Sequence, residues 1–226
     1  MWAIVPLKYF DNAKSRLAEV LSATERQLLV RTMARDVLRA LSDCTLLSGV
    51  LINSRESEVH ALAAEFNAEV FVEPDGFDLS QSVTLASEWL QRERGASGTL
   101  IVHADIPLAT AADFTTLLQN HQQLSLVPDD EGRGTNCIAA TPPNPIDYRY
   151  DGNSFGPHLA AAEANNLAVQ VCHIERLQLD IDTRADLKKL LRATIKAHAA
   201  GESIGETGTY LESSGIAQRL GSPYSG

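Results

Sequence analysis

The sequence predicts a single-domain α/β protein with a mostly parallel, mixed sheet flanked by helices. Three observations lead there. Short apolar, β-branched runs alternate with helical patterns, the order that builds parallel strands joined by crossover helices. The length, 226 residues, suits one large domain better than two. The hydrophobic fraction of 44% is enough to close a core around such a sheet.

The elements follow in order. Residues 2–6 form a first apolar strand, and a polar loop with Lys8, Lys14 and Arg16 follows it. Ser22, with Glu25 three residues on, is a capping box that opens a helix. Leu28, Leu29, Met33, Val37, Leu38 and Leu41 recur along that helix at its period. Residues 49–52 read as a strand, 56–66 as a helix, 69–72 as a strand and 80–94 as a helix. Residues 99–103 are a buried strand running into His103-Ala104-Asp105-Ile106-Pro107, after which Thr110 and Asp113 start a short helix. Residues 124–128 and 136–140 are strands joined by the polar loop 129–134. A Pro-rich stretch precedes a helix opened by Ser154 or Phe155. Residues 169–174 and 177–181 read as extended, and 184–198 as the last regular helix. From residue 201 the chain is rich in Gly and Ser, with one short segment able to dock as a further helix.

Composition narrows the partners. No apolar run approaches the roughly 20 residues that cross a bilayer, and Met1 leads into a strand without a basic leader. Cys44, Cys137 and Cys172 are widely spaced, as in small buried side chains of a reducing compartment. These features point to the cytoplasm and away from a membrane. A net charge of −10 argues against nucleic acid, whose backbone calls for a basic face. A small anionic substrate would need a local cluster of cations or a metal.

Candidate site residues lie where strands end, and ligands of open parallel sheets gather at carboxyl ends. Lys8, Lys14 and Arg16 could grip a triphosphate, or form a solvated basic loop. Asp105 could hold a divalent cation, or simply form the turn before Pro107. Asp180 and Asp182, two apart in an extended segment, point to one side while Leu179 and Ile181 face the core. Capping of the next helix would account for one of these carboxylates but not both. The loop from Asp129 to Gly134, followed by Thr135, has the glycines of an anion cradle and equally of a hairpin turn. Gly152-Asn153-Ser154 can present a helix N-terminus to an anion, or Ser154 can be a plain cap; His158 one turn on reads as structural.

These blocks, V-P-L-K with A-K-S-R-L, L-S-x-x-E-R, A-D-I-P-L, V-P-D-x-x-G-x-G-T-N, G-x-S-F-x-x-H and L-D-I-D-T, stand in one order from Trp2 to about Leu191. In that order the chain resembles the 2-phospho-L-lactate guanylyltransferases and their bacterial relatives acting on phosphoenolpyruvate or 3-phosphoglycerate, which make a precursor of coenzyme F-420. The resemblance implies a nucleotidyltransferase fold of the GT-A and molybdenum-cofactor guanylyltransferase type over residues 1–200, with 201–226 as a C-terminal tail. It implies GTP and a small phosphorylated acid as partners, and leaves a homodimer open. Pro6, Leu7, Lys8, Lys14 and Arg16 would form the triphosphate loop, with Asn53, Glu73, Pro74 and Gly76 around the base. Asp105, Asp180 and Asp182 would bind Mg2+, and Thr135, Gly152 and Ser154 the acceptor. Lys14, Arg16 and Asp105 are the catalytic candidates. At Asp78-Leu79-Ser80-Gln81 the chain departs from the G-L-N or D-L-N such proteins often carry.

Overall fold

Seven runs of the sequence pair into one sheet: β1 (Trp2–Pro6), β2 (Gly49–Asn53), β3 (Glu69–Phe71), β4 (Thr99–Val102), β5 (Leu124–Pro128), β6 (Thr135–Ala140) and β7 (Val169–Val171). In this computed structural model, residues 1–7 and 14–220 are described. The strand order is β3-β2-β1-β4-β6-β5-β7. β6 runs antiparallel to β4 and β5, whereas the other neighbours pair in parallel. The sheet is therefore mixed but mostly parallel, as the alternating pattern requires.

Nine helices complete the described chain: α1 (Ala23–Ser42), α2 (Val59–Glu65), α3 (Leu79–Arg94), α4 (Ala111–Gln119), α5 (Phe155–Ala164), α6 (Glu175–Gln178), α7 (Arg184–Ala199), α8 (Gly205–Ser213) and α9 (Ile216–Arg219). Capping boxes open four of them, built from Ser22 and Glu25, Asp78 and Gln81, Thr110 and Asp113, and Thr183 and Asp186. The 78–81 departure from the family pattern is thus a local device that starts α3. Among the described residues, no helix is long and apolar enough to cross a membrane.

Strand alternation divides the core. Val5, Ile52 and Val102 pack on one face of the sheet with α1 residues Ala34, Val37, Leu38 and Leu41. Ile4, Leu51, Ile101 and Ile138 pack on the other with Val83, Ala86 and Leu90 of α3. A third cluster lies on the far side of α1, where Leu29 and Met33 meet Leu187, Leu190 and Leu191 of α7 and Leu211 of α8. α1 is therefore covered on two sides.

Three expectations change. Leu28, counted on the apolar face of the first helix, is 44% exposed. The second helix begins at Val59 rather than residue 56. Residues 177–178, read as extended, belong to the short helix α6, and the extended backbone begins at Leu179, with φ −89° and ψ 94°. Extension survives where it matters, because it still turns Leu179 and Ile181 inward.

Candidate active site

The three aspartates meet because backbone bonds tie their segments together. Ile181 N–H donates to the Asp105 carbonyl at 3.0 Å, joining the segment after α6 to the turn after β4. Asn136, at the start of β6, donates its side-chain amide to the carbonyls of Leu177 (3.1 Å) and Gln178 (3.0 Å) and to Asp180 Oδ1 (3.2 Å). Burial of Leu179 and Ile181 in the α1–α7 cluster leaves Asp180 and Asp182 on the opposite side. One carboxylate oxygen from each of Asp105, Asp180 and Asp182 lies within 4.8 Å of the others. Thr183, not either aspartate, caps α7.

Lys14 reaches into this cluster from a left-handed backbone conformation, φ 55° and ψ 46°. Its Nζ donates to Asp105 Oδ2 at 2.5 Å and to Asp182 Oδ1 at 2.6 Å. Burial alone would push the ammonium down, but the two carboxylates prevail and hold it above its usual range. Burial likewise opposes the Asp105 charge, and the Lys14 ammonium overrides it, holding that carboxyl below its usual range. Asp180, bonded to Asn136, is pushed up to about 6 by burial and by the Asp105 charge.

The residues present fit a hard divalent cation. Asp105 Oδ1 is buried and has no hydrogen-bond partner among the described residues, although a buried acceptor normally has one. Three convergent carboxylates are the donor type that Mg2+ takes. Beside them opens a cleft of about 200 Å³ lined by Pro6, Leu7, Lys14, Leu79, His103 and Asp105, among others. A larger hollow of about 560 Å³, between residues 144–149 and α5, contains none of the predicted site residues.

Comparison with known proteins bears on this geometry. Residues 1–212 match the family described as guanylyl transferase, CofC like. The phosphoenolpyruvate guanylyltransferase of Sphaerobacter thermophilus is 35% identical over 210 residues, covering 92% of this chain and 98% of that protein. The chain belongs to the CofC-like guanylyl transferase family. The 2-phospho-L-lactate guanylyltransferase of Methanocaldococcus vulcanius is 31% identical over 214 residues, covering 94% of this chain and 93% of that protein. A solved structure from Desulfovibrio desulfuricans G20, assigned to the nucleotide-diphospho-sugar transferases, shares the fold with a TM-score of 0.76 at 18% identity, covering 97% of each chain. A nucleotidyl transferase from Methanothermobacter thermautotroptrophicus gives 0.62 at 15% identity, covering 87% of this chain and 98% of that one. The protein is a nucleotidyltransferase enzyme.

The other predicted residues of this guanylyl transferase fall into distinct places. Lys8 lies outside the described residues. Arg16 is exposed, in the 3-10 turn Ser15–Leu17 that follows Lys14. Asn53 and Glu73 are buried and share Ser82, whose hydroxyl accepts from Asn53 Nδ2 at 2.8 Å and donates to Glu73 Oε2 at 2.5 Å. Arg55 clamps the same loop, with Nε on Glu73 Oε1 at 3.0 Å and Nη2 on the Pro74 carbonyl at 3.0 Å. Pro74 and Gly76 are exposed, and Gly76 has φ +81°.

Thr135 and Ser154 meet, as their assignment to one subsite requires, but both are buried. Ser154 Oγ donates to Thr135 Oγ1 at 3.2 Å instead of capping α5. His158 Nε2 accepts from the Arg149 N–H at 3.0 Å, which leaves the ring proton on Nδ1 to donate to Thr135 Oγ1 at 3.1 Å. The Thr135 oxygen thus accepts twice, and its own proton is left to donate elsewhere. Gly152 is exposed, with φ +86°. The preceding loop is a self-capped hairpin: Asp129 accepts from the amides of Arg133 (2.8 Å) and Gly134 (2.7 Å), so those two amides do not cradle an anion.

Asn136, Ser82 and Arg55 had no assigned role in the sequence reading. Asn136 carried a usable signal, a polar residue at the head of the otherwise apolar run Cys137-Ile138-Ala139-Ala140, whereas Ser82 sits in a helix with many polar residues and carried none. Arg55 carried none, because its partners are set by how loop 73–75 folds back.

Proposed function

We propose that this enzyme transfers GMP from GTP to the phosphate of a small phosphorylated carboxylic acid, releasing pyrophosphate, in the making of coenzyme F-420. The acceptor class comprises phosphoenolpyruvate, 3-phosphoglycerate and 2-phospholactate. The observation that carries the reading is the convergence of Asp105, Asp180, Asp182 and Lys14 beside the cleft at the carboxyl end of β1 and β4.

In the proposed reaction, an acceptor phosphate oxygen attacks the α-phosphorus in line. A new phosphoanhydride bond forms, the α–β bond breaks, and pyrophosphate carries away the charge. The nucleophile is already ionised at neutral pH, so no general base is required. The task left to the chain is to bring two anions together and stabilise the charge that develops. Mg2+, held by Asp105, Asp180 and Asp182, would supply positive charge to the phosphate oxygens. Lys14, Arg16 and Lys8 hold the triphosphate; Arg16 is exposed, two residues along the chain from Lys14 in the cleft. Asn53 and Glu73, set by Ser82 and Arg55, shape the base pocket together with Pro74 and Gly76. The Thr135 hydroxyl donates to the acceptor, with Ser154 holding that hydroxyl and Gly152 bringing backbone close. Three free, buried cysteines suit the cytoplasm, where we place the enzyme. A homodimer is the assembly to check by light scattering.

Pyrophosphate release with Mg2+ tests the function, crossing GTP, ATP, CTP and UTP against the three acceptors and identifying products by mass spectrometry. Release that needs GTP and one acceptor is the expected result and names the substrate. Nucleotide binding without turnover on any pair would sink this acceptor class, leaving an acceptor outside the set or a nucleotide-binding module.

A further inference from the structure

The aspartate cluster already contains a cation, and it comes from the protein itself. Three carboxylates lie within 4.8 Å of one another, an arrangement that mutual repulsion opposes. Lys14 Nζ sits against two of them, 2.5 Å from Asp105 Oδ2 and 2.6 Å from Asp182 Oδ1. Its side chain is only 10% exposed, so it is a built-in part of the cluster rather than a surface partner. Its backbone is in the left-handed region, where a non-glycine residue stays only when its surroundings hold it. The Leu17 N–H to Lys14 carbonyl bond, at 2.9 Å, fixes the turn that aims it.

Mg2+ sits about 2.0–2.1 Å from each oxygen that coordinates it. An ion bridging Asp105 Oδ2 and Asp182 Oδ1 would compete with the ammonium for the place it now holds between them, whichever further oxygen, the unpartnered Asp105 Oδ1 included, the ion also takes. We propose that Lys14 is the exchangeable counter-ion of the metal site, holding Asp105 and Asp182 together in the free enzyme and surrendering both oxygens when a divalent cation binds. This rests on the metal reading above and adds an order of events. The displaced ammonium remains in the cleft it shares with Pro6 and Leu7, where a triphosphate supplies new oxygens for it. The free enzyme therefore holds its metal weakly, and metal and nucleotide bind best together.

Mn2+ binding to the full chain without nucleotide, followed by electron paramagnetic resonance, tests the exchange. Lys14→Met and Lys14→Gln remove the competing ammonium. If the lysine occupies the site at least about 90% of the time, each variant binds Mn2+ about tenfold or more tightly than the unsubstituted chain. Mn2+ should also raise the melting temperature of these variants more than that of the unsubstituted chain. Melting in chelator shows that each variant is folded before its affinity is compared. Unchanged or weaker Mn2+ binding by both folded lysine variants, with binding still abolished by Asp182→Asn, overturns the exchange and leaves the metal reading standing. Binding insensitive to both Asp105→Asn and Asp182→Asn overturns the metal reading itself, and the exchange with it.

Discussion

At the scale of single residues, the site rests on side chains whose burial gives each a fixed partner. Asp105 is the most committed: one oxygen is on Lys14, and the other is buried without a partner among the described residues. Asp105→Ala or Asp182→Ala should lower kcat by about 10²–10³-fold or more while far-ultraviolet circular dichroism is unchanged. A variant keeping most of its turnover would remove that residue from the proposed metal site. Asn136 acts differently, since its amide holds two backbone carbonyls and Asp180. Asn136→Ala leaves those acceptors unsatisfied, and urea unfolding should show a loss of about 1–3 kcal/mol. Activity should fall with it, chiefly through a higher metal requirement, because Asp180 loses its anchor. A variant as stable as the parent would show that the latch is not needed to hold the segment.

At the scale of elements, the helix that shapes the cleft is itself held from behind. α1 contributes Val30 and Met33 to the cleft lining and carries Asp36 on a buried turn. The Asp36 carboxylate accepts from the backbone amides of Glu206 (2.7 Å) and Thr207 (2.8 Å), so a side chain of α1 caps the first turn of α8. Glu206 returns ion pairs to Arg35 and Arg39. Gly205 has φ +66°, and a Cβ there would lie 2.7 Å from Asp36 Oδ1, so the position needs glycine. Asp36→Ala should cost about 1–2 kcal/mol, as loss of a helix cap does. Hydrogen exchange should show the amides of α8 losing protection before those of α3. Equal protection in both helices would mean that apolar packing alone holds α8.

At the scale of the whole molecule, stability depends on pH through a buried ring. His158 is 0% exposed, and burial lowers its pKa from 6.5 to about 4. Between those values the unfolded chain binds a proton that the folded chain does not. The contribution is therefore fully present above pH 6.5 and is lost as pH falls towards 4, with a slope of at most about 1.4 kcal/mol per pH unit. Urea midpoints from pH 7 to 4 should fall in the parent and fall less in His158→Gln. Parallel curves would show that groups other than this imidazole, such as His103, His121 or the carboxylates, set the acid limb.

Sequence alone determined the α/β class, the capping box at Ser22, the helix start at Thr110 and Asp113, and the alternation that turns Asp180 and Asp182 away from Leu179 and Ile181. Those features are local: a cap needs three residues, and a strand period needs two. The family resemblance carried the aspartates to a common role, but only the tertiary structure brought Asp105 within 4.8 Å of the other two. Folding also decided that Lys14 pairs with carboxylates, that Thr135 and Ser154 bond each other below the surface, and that α8 is capped by Asp36. Such pairings join residues far apart in the chain, and which of them form depends on how helices and strands pack, which no local spacing records.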